Sequence, residues 1–173
     1  MKSNNIKKMI MGALFAALIC IATMIFPIPL PGNGYANLGD CFVLVAAWAL
    51  GPVTGMLAAG IGSAFADIFS GFAFYAPATF IIKALMALAA VFVFKGLSNV
   101  FKKYNIVGRI ISGIVAEAIM VLGYFFYEAV FIGEGLAAAV NIIGNVGQGA
   151  VGIVTSIILI EVLERTKLLE SLK

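Results

Sequence analysis

The chain has 173 residues, of which 63% are hydrophobic and only 11% are charged, with a net charge of +3. Soluble domains have about 25% charged residues, so this composition excludes a soluble enzyme or a nucleic-acid-binding domain. Apolar runs long enough to span a membrane recur between short polar breaks, which predicts spanning helices rather than a β-barrel. The chain has no histidine and two cysteines, so we expect no catalytic residue, metal site or cofactor.

Hydropathy and proline positions divide the chain into six predicted spans. The first ends at Pro27, Pro29 and Pro31, whose rings do not allow a helix to continue. Gly51 and Pro52 interrupt the next apolar stretch and mark either a kink in one helix or a turn between two. With a turn, the predicted spans are residues 9–26, 36–50, 52–69, 77–94, 107–131 and 136–160.

The positions of lysine and arginine favour the turn. Cytoplasmic loops are enriched in these residues, and six spans bring ten of the eleven to one side of the membrane: Lys2, Lys7, Lys8, Lys95, Lys102, Lys103, Arg109, Arg165, Lys167 and Lys173. The eleventh, Lys83, lies inside the fourth span. We therefore predict an all-α integral membrane protein, a single domain over residues 1–173, with a six-helix bundle and both termini in the cytoplasm.

Polar side chains concentrate in the outer halves of these spans. An ionisable group at the centre of a membrane helix costs about 2.5–3.5 kcal/mol, so each is a functional-site hypothesis. Helical spacings of three, four and seven put polar side chains of one helix on the same face. These polar faces of the fourth, fifth and sixth helices lie at one depth, under a first loop with Asn33 and Tyr35. The candidate substrate-binding residues are Asn37, Asp40, Asp67, Tyr75, Thr79, Lys83, Glu117, Tyr124, Glu128, Asn141, Asn145 and Gln148. The inner halves carry mostly small and aliphatic residues, which disfavours a channel.

Each of these groups also has a structural interpretation. The amides of the sixth span either bind a ligand or hold helices together. Asp67 and Lys83 either pair with each other or contact a ligand. Glu128 either belongs to the site or is an ordinary carboxylate of an outer loop. Ala13 and Ala17 form a smooth face on the first helix, which suits close approach of another helix, inside or outside the protein.

Several of these residues resemble the substrate-binding S components of energy-coupling factor (ECF) vitamin transporters. The resemblance covers nearly the whole chain and is most specific in its first half. It rests on the N-terminal lysines, the proline-rich first loop and the following residues: Ala13, Ala17, Asn37, Leu38, Gly39, Asp40, Gly51, Pro52, Gly55, Gly60, Gly62, Asp67, Gly71, Tyr75, Pro77, Thr79 and Lys83.

This resemblance implies a subunit of a transporter in the bacterial plasma membrane. Such a protein captures a vitamin from outside, under the first loop and between the fourth, fifth and sixth helices. It then delivers the vitamin inward with a membrane-embedded coupling protein and two ATPases. Ala13 and Ala17 would contact the coupling protein. A ligand similar to pyridoxine or hydroxymethylpyrimidine is favoured. The alternative function is a self-sufficient, proton-coupled secondary carrier with Glu117 or Asp67 as the proton site.

Overall fold

The computed structural model describes residues 2–25, 27–29, 35–100 and 105–166. Within them the chain forms six α-helices and one antiparallel pair of short strands. Five of the helices are long and apolar enough to cross a membrane. The elements are α1 (Lys2–Ile25), β1 (Ile28–Pro29), β2 (Tyr35–Ala36), α2 (Gly39–Leu50), α3 (Pro52–Phe69), α4 (Ala76–Val100), α5 (Asn105–Phe126), a π-helical turn (Tyr127–Ile132), a 3-10 turn (Gly135–Ala139) and α6 (Val140–Arg165).

Helix α2 is the short central element of the bundle. It begins at Gly39, three residues after the start of the predicted span, because Tyr35 and Ala36 pair with β1 instead. Its 12 residues rise only about 18 Å, less than the ~30 Å of a membrane core. Residues 43–47 are completely buried. A helix that is apolar on every face is stable inside a bundle, and this explains why α2 lacks the length of its neighbours.

The turn between α2 and α3 confirms the two-helix interpretation of this stretch. Gly51 has a φ of +80°, a conformation that glycine adopts without steric cost, and Pro52 begins α3. Gly55 then lies against α2 so closely that a Cβ there would be 2.9 Å from the Cα of Ala47. The two helices therefore form a tight hairpin.

Arg109, one of the ten basic residues counted toward one side of the membrane, lies within the bundle. Its side chain is buried, and its guanidinium carbon lies 5.9 Å from the ring centre of Trp48 and 5.6 Å from that of Phe94. Its Nη2 donates a hydrogen bond to Glu164 at 2.6 Å. These contacts join α2, α4, α5 and α6 at the end of the bundle away from the first loop, called the far end below. Six residues named above lie outside the described residues: Pro31, Asn33, Lys102, Lys103, Lys167 and Lys173.

Candidate substrate-binding site

A polar cavity lies beneath the described end of the first loop, residues 35–38, at the end of the bundle called the loop end below. Its wall combines side chains from this loop, α3, α4, α5, the π-helical turn and α6. The lining residues are Tyr35, Asn37, Asp67, Tyr75, Thr79, Tyr124, Glu128, Asn145 and Gln148. The structure therefore brings together residues that are up to 113 positions apart in sequence, and all but Tyr35 are among the candidate substrate-binding residues.

Two sets of hydrogen bonds hold the first loop over this cavity. The Tyr35 hydroxyl donates to Asp67 Oδ1 of α3 at 2.8 Å. The backbone N–H of Asn37 donates to Gln148 Oε1 of α6 at 2.8 Å. Burial, with the nearby Asp67 carboxylate, raises the pKa of Tyr35 above its ordinary value, so the phenol keeps the proton that it donates. Residues 35–37 are thus attached to both α3 and α6.

The π-helical turn places Glu128 in the cavity wall. Glu128 is buried, so it is not an ordinary outer-loop carboxylate. Tyr75 donates to Glu128 Oε1 and Asn141 donates to Glu128 Oε2, each at 3.0 Å. The adjacent Tyr127 is not a lining residue; its hydroxyl donates to the backbone carbonyl of Phe74 at 2.5 Å. Segments of π-helix are often found at functional sites, but hydropathy does not reveal them.

An ion pair lies behind the lining residues. The Lys83 ammonium donates to Asp40 Oδ1, and the amide of Gln148 donates to Asp40 Oδ2. The two charged side chains are almost completely buried. Of the alternatives left open by the sequence, the pairing of Lys83 with Asp67 is wrong: Lys83 pairs with Asp40, whereas Asp67 bonds to Tyr35. Lys83 also lies 5.6 Å from the ring centre of Tyr124.

Glu117 lies in the same deep layer and faces a glycine surface of α6. A Cβ at Gly149 would be 3.0 Å from Glu117 Cβ, and one at Gly152 would be 3.2 Å from Glu117 Oε1. Its side chain is 6% exposed, and neither carboxylate oxygen has a hydrogen-bond donor among the described residues. Glu117 is therefore enclosed behind the cavity rather than at its wall.

The cavity is nearly filled by its own side chains. Its volume is about 30 Å³, which is enough for one or two water molecules. Sites for small organic ligands measure roughly 300–1,000 Å³. A ligand of vitamin size therefore requires the lining side chains, including those of Tyr35 and Asn37, to move outward.

A second feature is an apolar groove of about 970 Å³ between α1 and α3, on the surface of the bundle. Ala13 and Ala17 line it and are exposed. The internal contact between the two helices uses other small residues, since a Cβ at Gly12 would be 2.8 Å from Thr54 and Gly62 lies directly against the backbone of Ala16. The Ala13 and Ala17 face is therefore free for a neighbour outside the bundle.

The fold and the cavity together define a multi-pass membrane protein with an enclosed polar site at one end and an apolar groove on its side. Residues 3–165 match the family described as "ECF-type riboflavin transporter, S component", and the chain belongs to this family. It is the substrate-binding subunit of an ECF vitamin transporter in the cell membrane, not an enzyme.

A solved structure agrees with this assignment, and two further proteins are similar to the chain. The chain is 26% identical to a solved structure of the S component of a bacterial ECF transporter, with a TM-score of 0.71. The structural match covers 94% of this chain and 98% of that one. It is 27% identical to the thiamine precursor transporter HmpT of Lactococcus lactis over 100% of this chain and 97% of the relative. An uncharacterized protein of Pyrococcus woesei is 35% identical to the chain, over 79% of this chain and 87% of the relative.

Proposed function

We propose that the protein captures a small planar heterocycle similar to hydroxymethylpyrimidine in the cavity under the first loop. The observation that carries this proposal is the composition of the wall. Three tyrosine rings provide surfaces for a flat ring, and the amides and carboxylates around them provide hydrogen bonds to its edge. The similarity to a thiamine precursor transporter over the whole chain supports the same ligand class.

The proposed ligand contacts are made by the lining residues alone. Of the candidate binding residues, Asn37, Asp67, Tyr75, Thr79, Tyr124, Glu128, Asn145 and Gln148 line the cavity. The other four, Asp40, Lys83, Glu117 and Asn141, are not lining residues. Asp40 and Asn141 hydrogen-bond to lining side chains, which supports a positioning role for these two.

The proposed orientation puts the cavity outside the cell and both termini in the cytoplasm, with all six helices in one membrane domain. The described basic residues Lys7, Lys8, Lys95 and Arg165 are exposed and belong to the far-end portions of α1, α4 and α6. This distribution supports the orientation, because lysine and arginine are enriched on the cytoplasmic side.

The proposed partner of the apolar groove is the membrane-embedded coupling protein of the transporter, which acts with two ATPases. Ala13 and Ala17 leave space for a helix to approach closely, and small residues are typical of helix contacts in membranes. The groove and the cavity involve different faces of the bundle, so a bound ligand and a bound partner do not compete for the same residues.

The test begins with native mass spectrometry of gently purified protein, which identifies a co-purified ligand by its mass. Calorimetry with hydroxymethylpyrimidine, pyridoxine and riboflavin then ranks the affinities, and we expect the pyrimidine to bind most tightly. The same protein in liposomes without ATPases should bind the ligand but not accumulate it. Accumulation driven by a proton gradient alone would instead establish the secondary carrier and contradict the proposal.

A further inference from the structure

The polar atoms at the cavity wall differ in whether the protein already satisfies them. Both oxygens of Glu128 accept hydrogen bonds, from Tyr75 and Asn141. Gln148 uses its oxygen for Asn37 and its nitrogen for Asp40. A group whose partners are already in place gains little from a ligand, because binding then only exchanges one hydrogen bond for another.

Asp67 and Asn145 are the exceptions. Asp67 receives a bond from Tyr35 at Oδ1 and also interacts with the Thr79 side chain, while its buried Oδ2 accepts no hydrogen bond of normal geometry from the described residues. The Asn145 side chain is 5% exposed and makes no hydrogen bond to the described part of the chain. A buried acceptor without a donor is costly. A ligand N–H that bonds to Oδ2 removes this cost and forms a strong bond to a charged acceptor.

The charge of the wall points to the same ligand chemistry. Two residues of the cavity wall carry a carboxyl group, Asp67 and Glu128. No lysine or arginine is present among the described lining residues. The nearby Lys83 is engaged by Asp40. A ligand with its own carboxylate would therefore meet like charges without a free cation, and this disfavours its binding.

We infer that Asp67 is the residue that determines specificity, and that it accepts a hydrogen bond from an amino group or ring N–H of the heterocycle. Asn145 then contacts another position on the edge of the same ring. This inference rests on the proposed binding function and adds a rule to it: a heterocycle with an N–H donor is bound, whereas the analogue with no N–H at that edge, or with a carboxylate, is rejected.

The experiment compares two probes on the purified protein by calorimetry. One is hydroxymethylpyrimidine, which carries an exocyclic amino group, and the other is its analogue with a methoxy group in place of the amino group, which has no N–H donor at that edge. We expect the amino compound to bind at least about tenfold more tightly, because the methoxy oxygen would place one acceptor against another. A pyrimidine with an added carboxylate should not bind measurably.

The decisive variant is Asp67→Asn. Tyr35 still needs an acceptor, so the amide oxygen stays with Tyr35 and the new NH₂ group faces the ligand. We expect the affinity ratio of the two probes to fall to about one or to invert. Glu134→Gln is the matched control, because it makes the same chemical change outside the lining and should keep the wild-type ratio. Thermal melting confirms that both variants are folded.

Two results would overturn the inference. Equal binding of both probes to the wild-type protein, or an unchanged ratio in folded Asp67→Asn, would exclude Asp67 as the determinant and leave the proposed function in place. A wild-type protein that binds neither probe would overturn the inference as well. If that protein also co-purifies with no heterocycle, the proposed function fails with it.

Discussion

Gln148 of α6 connects Asn37 of the first loop to the buried ion pair. Its side-chain oxygen accepts the Asn37 backbone N–H at 2.8 Å, and its nitrogen donates to Asp40, which pairs with Lys83. One side chain therefore joins the loop over the cavity to the charges behind it. Because the cavity of about 30 Å³ has to expand for a ligand, this connection has to loosen during ligand exchange.

Replacing Gln148 should weaken the closed position of the loop. In Gln148→Ala the Asn37 N–H loses its acceptor, so we expect hydrogen exchange of the amides at residues 35–39 to be at least about tenfold faster. Ligand dissociation should be faster by a similar factor. Exchange measured by mass spectrometry and stopped-flow dissociation check the two effects. Unchanged exchange at these amides would show that Gln148 does not hold the loop.

Asn145 and Asn141 provide a matched pair, one turn apart on α6. Asn145→Leu removes an amide that bonds to no described residue, so we expect ligand affinity to fall more than tenfold with little change in the melting temperature. Asn141→Leu removes a donor to buried Glu128 and should lower the melting temperature. Calorimetry and melting curves separate the effects. A loss of stability in Asn145→Leu equal to that in Asn141→Leu would indicate that both amides only hold helices together.

Lys83 and Asp40 should depend on each other for stability. Lys83→Met leaves Asp40 buried without its counter-ion, and breaking a buried pair in this way costs about 3–5 kcal/mol. The double variant Lys83→Met with Asp40→Asn removes both charges and should recover most of the loss. Melting temperatures of the two single variants and the double variant form the test. Additive losses would mean that the pair makes no stabilising interaction.

Glu117 should be replaceable with a gain in stability. Both its oxygens lack donors among the described residues, so Glu117→Met keeps a similar size and removes uncompensated buried polar atoms. We expect the melting temperature to rise by about 2–4 °C, which corresponds to roughly 1 kcal/mol in a chain of this size. Glu164→Met, the same change at a carboxylate that bonds to Arg109, should lower it. A lower melting temperature in both variants would indicate that Glu117 makes a stabilising interaction of its own in the folded protein.

The groove between α1 and α3 predicts a separation of binding from transport. Ala13→Trp or Ala17→Trp places a bulky ring in the groove, so we expect normal ligand affinity and loss of uptake in cells with the ATPase module. Leu14→Trp is the control, since Leu14 is exposed on the same helix but does not line the groove. If all three variants transport normally, this face contacts lipid only.

The sequence predicted the membrane class, the six helices and the depth of the polar residues. These properties are local: apolar length, proline positions and spacings of three or four residues depend on neighbours along one helix. The hairpin at Gly51 could also be predicted, because the distribution of lysine and arginine decided between a kink and a turn. The strand pair at Tyr35 and the π-helical turn at Glu128 could not be predicted from the sequence, because each depends on contacts with distant segments.

Only the tertiary structure decided which polar groups meet. Lys83 and Asp40 lie 43 positions apart, and Asn37 and Gln148 lie 111 apart. Helical spacing places each of these side chains on a face but contains no information about the rotation of one helix against another. That rotation follows from close packing at glycines such as Gly55 and Gly62, and it leaves Asp67 at the cavity wall while it encloses Glu117 behind it.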